Sequence, residues 1–188
     1  MSMTKTAAVM MIDGFEESET MQITDLLRRA GIETYTYRFQ DDEFVTGMQK
    51  IRVKSDRRFS EEVKNADVII VPGGRTCAAE FIADEAFMET LKWFNENGKL
   101  IAGMCSGTTV LEAAGVLAGK RATGYTGYEE KLKSVSEFVH EVTVYDQNVV
   151  TSQGPATPYP FAFKIMEALG IDPSEIKARL LYAEAGGK

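Results

Sequence analysis

The strongest structural signal in the chain is the segment Leu100-Ile101-Ala102-Gly103-Met104-Cys105-Ser106-Gly107, an apolar run that ends in a turn of small residues. A helical run from Thr108 to Ala114 follows it directly. Two similar runs, Ala7–Ile12 and Val68–Val71, are each followed closely by Gly or Pro. Continuous apolar runs of this length are typical of strands buried on both faces.

Between these runs lie longer stretches with helical spacing, each of which ends at a glycine: Ser18–Ala30 with Ser18 as its N-cap, Ala83–Asn97 and Pro155–Leu169. Alternating strands and helices predict parallel pairing with right-handed crossovers. The fold class is therefore α/β, a doubly wound and mostly parallel sheet between helices. Two segments, Phe44–Lys54 and Val142–Thr151, interrupt the alternation and predict short β-hairpins.

Composition limits the class of protein. Of the 188 residues, 44% are hydrophobic and 26% charged, which is typical of a folded globular chain. We find no repeat or linker and expect one domain over residues 1–188. The net charge of −7 argues against nucleic-acid binding. No apolar run approaches the length of a membrane span, and two cysteines fit a reducing cytoplasm better than a disulfide framework.

Gly103 and Gly107 flank Cys105 with the spacing of a nucleophile elbow, in which a tight strand-to-helix turn exposes the central side chain. The N-terminus of the following helix favours a thiolate at that position. The alternative is that Cys105 is a small buried apolar residue, as free cysteines often are. The agreement of strand, glycines and helix favours the reactive cysteine.

Polar or glycine-rich loops follow the other strands and are expected to meet at the same edge of the sheet. The amide of Gly74, with that of Ser106, could form a hole for an oxyanion; Gly74 could equally belong to a simple strand-ending turn. One of the acids Glu16, Glu17 and Glu19 could point into the site, while the others favour the start of the helix electrostatically.

Cys77 is interpreted as a packed residue, with a resolving thiol as the alternative. His140, the single histidine, is expected on the surface, so a Cys-His dyad is not supplied. No metal-ligand spacing and no phosphate-binding glycine fingerprint is present. We therefore predict neither a metal nor a cofactor.

Four motifs together resemble the ThiJ/PfpI superfamily, in particular the branch of the Parkinson-disease-associated protein deglycase and its bacterial relatives. They are residues 14–19, 71–74, 101–107 and 151–157. The resemblance implies a flavodoxin-like fold, a homodimer and a reactive Cys105. It also implies that Glu19 is a protonated carboxyl that donates to the thiolate, that the backbone hole lies at Gly74 and Ser106, and that Gly73, Gly154 and Pro155 line the pocket.

The sequence departs from this branch at two positions. Tyr125 stands where the branch often carries a histidine, and a phenol is a poor general base at neutral pH. Gln49 stands where some members have an arginine at the partner interface.

Two functions follow from the resemblance. The first is a glyoxalase or deglycase acting without glutathione on small reactive carbonyls such as methylglyoxal, or on glycated substrates. The alternative is a non-enzymatic redox sensor or stress-response chaperone in which Cys105 is oxidised to a sulfinic acid. The Tyr125 substitution favours the alternative, because a sulfinate needs no imidazole. A protease is less well supported, because related proteases pair the cysteine with a histidine.

Overall fold

The structure is a computed structural model and describes residues 4–187. In chain order, its strands are β1 (Thr6–Met11), β2 (Glu33–Arg38), β3 (Phe44–Thr46), β4 (Arg52–Lys54), β5 (Arg57–Arg58), β6 (Val68–Val71), β7 (Leu100–Met104), β8 (Arg121–Ala122), β9 (Glu137–Phe138), β10 (Thr143–Asp146) and β11 (Val149–Ser152). Its α-helices are α1 (Glu17–Arg29), α2 (Cys77–Ala83), α3 (Glu85–Glu96), α4 (Gly107–Ala113), α5 (Pro158–Ala168) and α6 (Ser174–Arg179). A 3₁₀-helix spans Glu61–Asn65.

Seven strands form one sheet in the order β10-β11-β7-β6-β1-β2-β5. All neighbours in it pair in parallel except β10 and β11, which form an antiparallel hairpin at one edge. The predicted mostly parallel, flavodoxin-like α/β fold is confirmed. In this order β7, which carries the cysteine turn at its carboxyl end, lies between β6 and β11.

The sheet buries a separate apolar layer on each face, as a doubly wound sheet requires. On one face, Phe81, Phe87 and Leu91 of α2 and α3 pack with residues of α4. On the other, Ile23 of α1 packs with Phe161 of α5. All five of these side chains are almost fully buried.

Helix boundaries differ from the sequence-based expectation where side chains compete for backbone groups. The N-cap of α1 is Glu16, whose carboxylate accepts a hydrogen bond from the Glu19 amide at 2.6 Å, and Ser18 only donates to that carboxylate. Asp84 accepts from the Phe87 amide at 2.8 Å, so a new helix begins at Glu85. The last predicted helix starts at Pro158 and not at Pro155.

Both predicted hairpins are present, with different placements. The β3–β4 hairpin pairs Val45 with Val53 and stands outside the main sheet. The β10–β11 hairpin turns at Gln147, which has a φ of 53°, and joins the sheet through β11. A further pair, β8 and β9, is parallel and had no counterpart in the sequence interpretation. In the described part of the chain, no helix is long and apolar enough to cross a membrane.

Candidate active site

Cys105 occupies a strained turn between β7 and α4. Its φ of 53° lies in the left-handed region, which non-glycine residues rarely adopt. The Thr108 amide and hydroxyl both donate to the Cys105 carbonyl, at 3.2 and 2.7 Å. A Cβ atom added to Gly107 would lie 2.1 Å from the Val71 carbonyl oxygen. The close approach of α4 to β6 therefore requires glycine, and the elbow geometry expected from the sequence is present.

The three acids at the start of α1 have three different contacts. Glu16 caps the helix, and Glu17 accepts a hydrogen bond from the Gln49 amide at 2.7 Å, which ties the β3–β4 hairpin to α1. Glu19 is completely buried, and its Oε2 atom accepts from the Gly73 amide at 2.6 Å. The structure thus brings Glu19, and neither of its neighbours, to the cysteine turn.

Gly73 lies against both Cys105 and Glu19, and it has no side chain to fill the space beside them. A Cβ atom added there would lie 2.6 Å from the Cβ and 2.9 Å from the Sγ of Cys105. It would also lie 2.8 Å from Glu19 Oε2. The absence of a side chain at residue 73 is therefore what allows the carboxyl and the thiol to be neighbours.

The two acidic groups of the site oppose each other's ionisation. Burial raises the pKa of Glu19 to about 7, against the hydrogen bond from Gly73 and with the help of the nearby Glu16 charge. Burial also raises the pKa of the Cys105 thiol, and the Glu19 carboxylate raises it further, while the Ser106 amide lowers it. Because two negative charges are disfavoured in this space, the pair keeps one proton at neutral pH.

The expectation that the helix N-terminus favours a thiolate at Cys105 meets opposing influences in the structure. The helix α4 is seven residues long, and burial together with the Glu19 carboxylate raises the pKa of the thiol, while the Ser106 amide lowers it. A thiolate forms here when the shared proton lies on Glu19, so the state of the nucleophile depends on the carboxyl group.

Of the two backbone amides expected to bind an oxyanion, that of Gly74 already donates to another group. The Ser106 amide faces the sulfur of Cys105. The Gly74 amide, however, donates to the Ser106 hydroxyl at 3.0 Å, and that hydroxyl donates back to the Gly74 carbonyl at 2.8 Å. The Gly74 amide, which the sequence suggests as a donor to an oxyanion, therefore already has an acceptor in this structure, because the sequence did not indicate where the Ser106 side chain would turn.

Cys77 lies behind this turn and is fully buried. Burial raises the pKa of its thiol to about 12, although a hydrogen bond with Ser106 acts in the opposite direction. A Cβ atom on Gly74 would lie 2.8 Å from the Cys77 sulfur. These surroundings fit the interpretation of Cys77 as a packed thiol better than a resolving role.

A second tyrosine of the same loop, Tyr128, was not considered in the sequence interpretation. Tyr125 is 45% exposed. Its ring packs beside Gly154, where an added Cβ would lie 3.2 Å from Cδ2 of the ring. Tyr128 is half-buried; burial raises the pKa of its hydroxyl and the Cys105 charge adds to the shift, which places the phenol within electrostatic reach of the sulfur. The three-residue spacing of the two tyrosines in one loop was the available signal.

Gly154 and Pro155, two further residues predicted for the pocket, lie in the loop after β11. Gly154 is buried, and its carbonyl accepts from the amide and the hydroxyl of Thr157 at 2.8 and 2.9 Å. Pro155 is exposed beside it. His140 is 74% exposed, and its Nδ1 atom lies 3.9 Å from Glu129 Oε1. It therefore stands at the surface as predicted.

A cavity of about 950 Å³ lies next to this site but does not include Cys105 or Glu19. Its lining includes Asp13, Gln49, Arg75 and Glu80. Within residues 4–187, no group of three or more His, Cys, Asp or Glu side chains is placed to hold a metal ion.

Comparison with known sequences gives relatives over most of the chain. The chain is 33% identical over 169 residues to Drosophila melanogaster protein dj-1beta, covering 89% of this chain and 90% of that protein. It is 33% identical to the Caenorhabditis elegans glutathione-independent glyoxalase DJR-1.2, covering 82% of each. It is 29% identical to deglycase TK1284 of Thermococcus kodakarensis, covering 86% of this chain and 97% of that one.

Solved structures agree with this relationship. The crystal structure of Drosophila melanogaster DJ-1beta superimposes with a TM-score of 0.89 at 32% identity, over 95% of this chain and 98% of the other. Oxidised DJ-1 of Toxoplasma gondii also gives 0.89, at 31% identity, over 96% and 100%. The model of the DJ-1/PfpI family matches residues 5–168. This range includes Glu19, Gly73 and the turn that carries Cys105. By sequence and by fold, the chain belongs to the DJ-1/PfpI family.

Proposed function

We propose that this protein is an enzyme that converts small reactive carbonyl compounds, with Cys105 as the nucleophile and Glu19 as its proton partner. The observation that carries the proposal is the buried Glu19 carboxyl beside Cys105, with its pKa raised to about 7. A group with a pKa near the working pH can both donate and accept a proton during a reaction. The relatives named as a glyoxalase and a deglycase support the same chemistry.

With methylglyoxal as substrate, the steps follow from these two groups. The Cys105 thiolate attacks the aldehyde carbon, and the proton held by Glu19 passes to the new oxyanion, which gives a hemithioacetal. The Glu19 carboxylate then removes the proton from the former aldehyde carbon and delivers it to the adjacent carbon, while the proton of the hemithioacetal hydroxyl passes to the oxygen of that adjacent carbon. The product is a lactate thioester of Cys105, and attack by one water molecule releases lactate and the thiol.

The backbone supplies the rest of the site. The Ser106 amide, which already faces the sulfur, is placed to stabilise the oxyanion that forms there. His140 stands at the surface, 74% exposed, so we assign the proton transfers to Glu19. A protease mechanism, which needs an imidazole beside the thiol, is not proposed.

The test is lactate formation from methylglyoxal by the wild type and by Cys105→Ser, Glu19→Gln and Cys77→Ser. Loss of Cys105 or Glu19 is expected to lower kcat/KM by at least about 10²-fold, the usual contribution of a general acid–base group. Cys77→Ser removes a buried thiol outside the mechanism and serves as the matched control. Wild-type turnover in Cys105→Ser would refute the enzyme proposal.

The second candidate function is a redox sensor or stress-response chaperone. It is favoured by the surface position of His140, which is 74% exposed, since no imidazole is needed to hold an oxidised cysteine. Two molecules of peroxide would convert the Cys105 thiolate to a sulfinate with release of two molecules of water. Mass spectrometry after mild peroxide treatment separates the two functions: a stable gain of two oxygens at Cys105 without aldehyde turnover would favour the sensor.

We also propose that the chain forms a homodimer in a reducing cytoplasm, where its two free cysteines would persist. Phe44 and Ile51 of the β3–β4 hairpin region are 37% and 55% exposed, which gives a second copy an apolar surface to cover. Analytical ultracentrifugation of the wild type and of Ile51→Glu tests this: the wild type should sediment as a dimer and the variant as a monomer.

A further inference from the structure

The Ser106 hydroxyl is hydrogen-bonded to the Gly74 amide, one of the two amides expected to bind the oxyanion of the proposed reaction. It accepts a hydrogen bond from the Gly74 amide at 3.0 Å and donates to the Gly74 carbonyl at 2.8 Å. A hydroxyl has one donor and two acceptor sites, so Gly74 takes the only donor site of the Ser106 side chain and one of its acceptor sites.

Neighbouring residues restrict the backbone of Gly74 and bury Ser106. Ser106 is 7% exposed, and its carbonyl accepts from the Thr109 hydroxyl at 2.7 Å. Gly74 has a φ of 153° and is paired with Phe15 in an isolated bridge. A Cβ atom on Gly74 would lie 2.1 Å from the Gly14 carbonyl oxygen. The Gly74 backbone therefore has little freedom to turn its amide elsewhere, and the Ser106 side chain is the part that can move.

We propose that the Ser106 hydroxyl is an internal occupant of the oxyanion hole, which the oxygen of a bound substrate must displace from the Gly74 amide. The inference rests on the proposed function, in which a negatively charged oxygen develops at the carbon attached to Cys105. Before displacement, one amide, that of Ser106, is available to this oxygen. After rotation of the Ser106 side chain, the Gly74 amide becomes the second donor. Ser106 is thus a positioning residue that slows the reaction by the cost of breaking its bond with Gly74.

The expected change in rate follows from the hydrogen bond between Ser106 and Gly74 that the substrate oxygen must replace. A neutral hydrogen bond inside a protein is worth a small net amount, equivalent to a factor of roughly 2 to 10 in an equilibrium. The displacement occurs as the oxyanion forms, so removal of the hydroxyl should act on kcat with little change in KM. We expect Ser106→Ala to raise kcat/KM for methylglyoxal by about 2- to 10-fold.

Two variants control for structural effects. Ser106→Thr keeps the hydroxyl that occupies the hole, so it should not show the rise in kcat/KM expected of Ser106→Ala. Thr90→Val removes a buried hydroxyl of α3, which donates to the Ala86 carbonyl outside the site, and it is expected to stay within about twofold of the wild type. An unchanged or lower kcat/KM in Ser106→Ala would overturn the inference while leaving the proposed enzyme intact. Wild-type activity in Cys105→Ser would instead remove the proposed function itself.

A measurement on the wild type covers the case in which Ser106→Ala does not fold. Hydrogen peroxide converts the Cys105 thiolate to a sulfinate, whose charged oxygens are a stable substitute for the transient oxyanion. If the sulfinate displaces the hydroxyl, the Gly74 amide proton should move downfield in a ¹H–¹⁵N spectrum, because its acceptor becomes charged. Cys105→Ser treated in the same way should show no shift. An unshifted Gly74 resonance in the oxidised wild type would overturn the inference.

Discussion

Glu19 Oε2 accepts a 2.6 Å hydrogen bond from the Gly73 amide, across 54 residues of sequence. This bond joins the first helix to the turn after β6 and holds the carboxyl beside the sulfur of Cys105. It also opposes the effect of burial on the acidity of the carboxyl, because an amide donor favours the charged form. The same contact therefore fixes the position of the proton partner and moderates the pKa shift that burial causes.

Substitution of Gly73 by alanine should disable the site. The new Cβ would lie 2.6 Å from Cys105 Cβ and 2.8 Å from Glu19 Oε2, so the two side chains must separate. We expect lactate formation to fall by at least about 10²-fold, as for loss of the proton partner. Gly98→Ala is the comparison: nothing lies within 4 Å of its new methyl group, and its φ of 63° predicts lower stability with normal turnover. Near wild-type turnover in Gly73→Ala would contradict the mechanism.

Stability should depend on pH through Glu19. Its pKa is about 7 in the folded protein against an ordinary value of 4.5, so the folded state binds the proton more tightly than the unfolded state. The contribution is fully present below pH 4.5 and is lost as the pH rises through about 7. The difference corresponds to roughly 3 kcal/mol in the free energy of unfolding.

Urea unfolding of the wild type between these pH values measures this loss. Glu19→Gln has no titrating group at this position, so its free energy of unfolding should change less over the same interval. Equal slopes for the two proteins would show that the carboxyl titrates normally when folded.

The two tyrosines of the loop after β8 should differ in importance. Tyr128 is half-buried, and the charge of Cys105 affects its hydroxyl, while Tyr125 is 45% exposed. We expect Tyr128→Phe to lower kcat/KM by about the value of one hydrogen bond, roughly 2- to 10-fold, and Tyr125→Phe to have a smaller effect. Tyr145→Phe, on the exposed face of β10, controls for loss of a phenol. The reverse order of effects would favour Tyr125 as the substitute for the family histidine.

Cys105 should be alkylated before Cys77 in the folded protein. Cys105 is half-buried and can transfer its proton to Glu19, while Cys77 is fully buried and inaccessible to a reagent. Iodoacetamide at neutral pH should therefore alkylate Cys105 first, as peptide mass spectrometry can measure. In denaturant the two rates should become similar. Faster labelling of Cys77 in the folded protein would contradict its assignment as a packed thiol.

Much of the fold followed from local signals. The runs Val68–Val71 and Leu100–Met104 predicted β6 and β7 at their observed boundaries, because strands buried on both faces need continuous apolar residues. The boundaries of the helices were less accurate. Asp84 and Glu16 each accept a backbone amide of the following turn, and sequence spacing does not show which of several polar residues will do so.

The sequence by itself determined the parallel α/β architecture and the placement of Cys105 between two glycines at the end of a central strand, since both depend on residues that are adjacent in the chain. Tertiary structure decided which acid meets the sulfur and where the Ser106 hydroxyl turns. Those outcomes depend on contacts between segments far apart in sequence, such as Glu19 with Gly73 and Gly74 with Ser106. Burial at those contacts also governs the acidity of the site, which a local pattern of residue types does not encode.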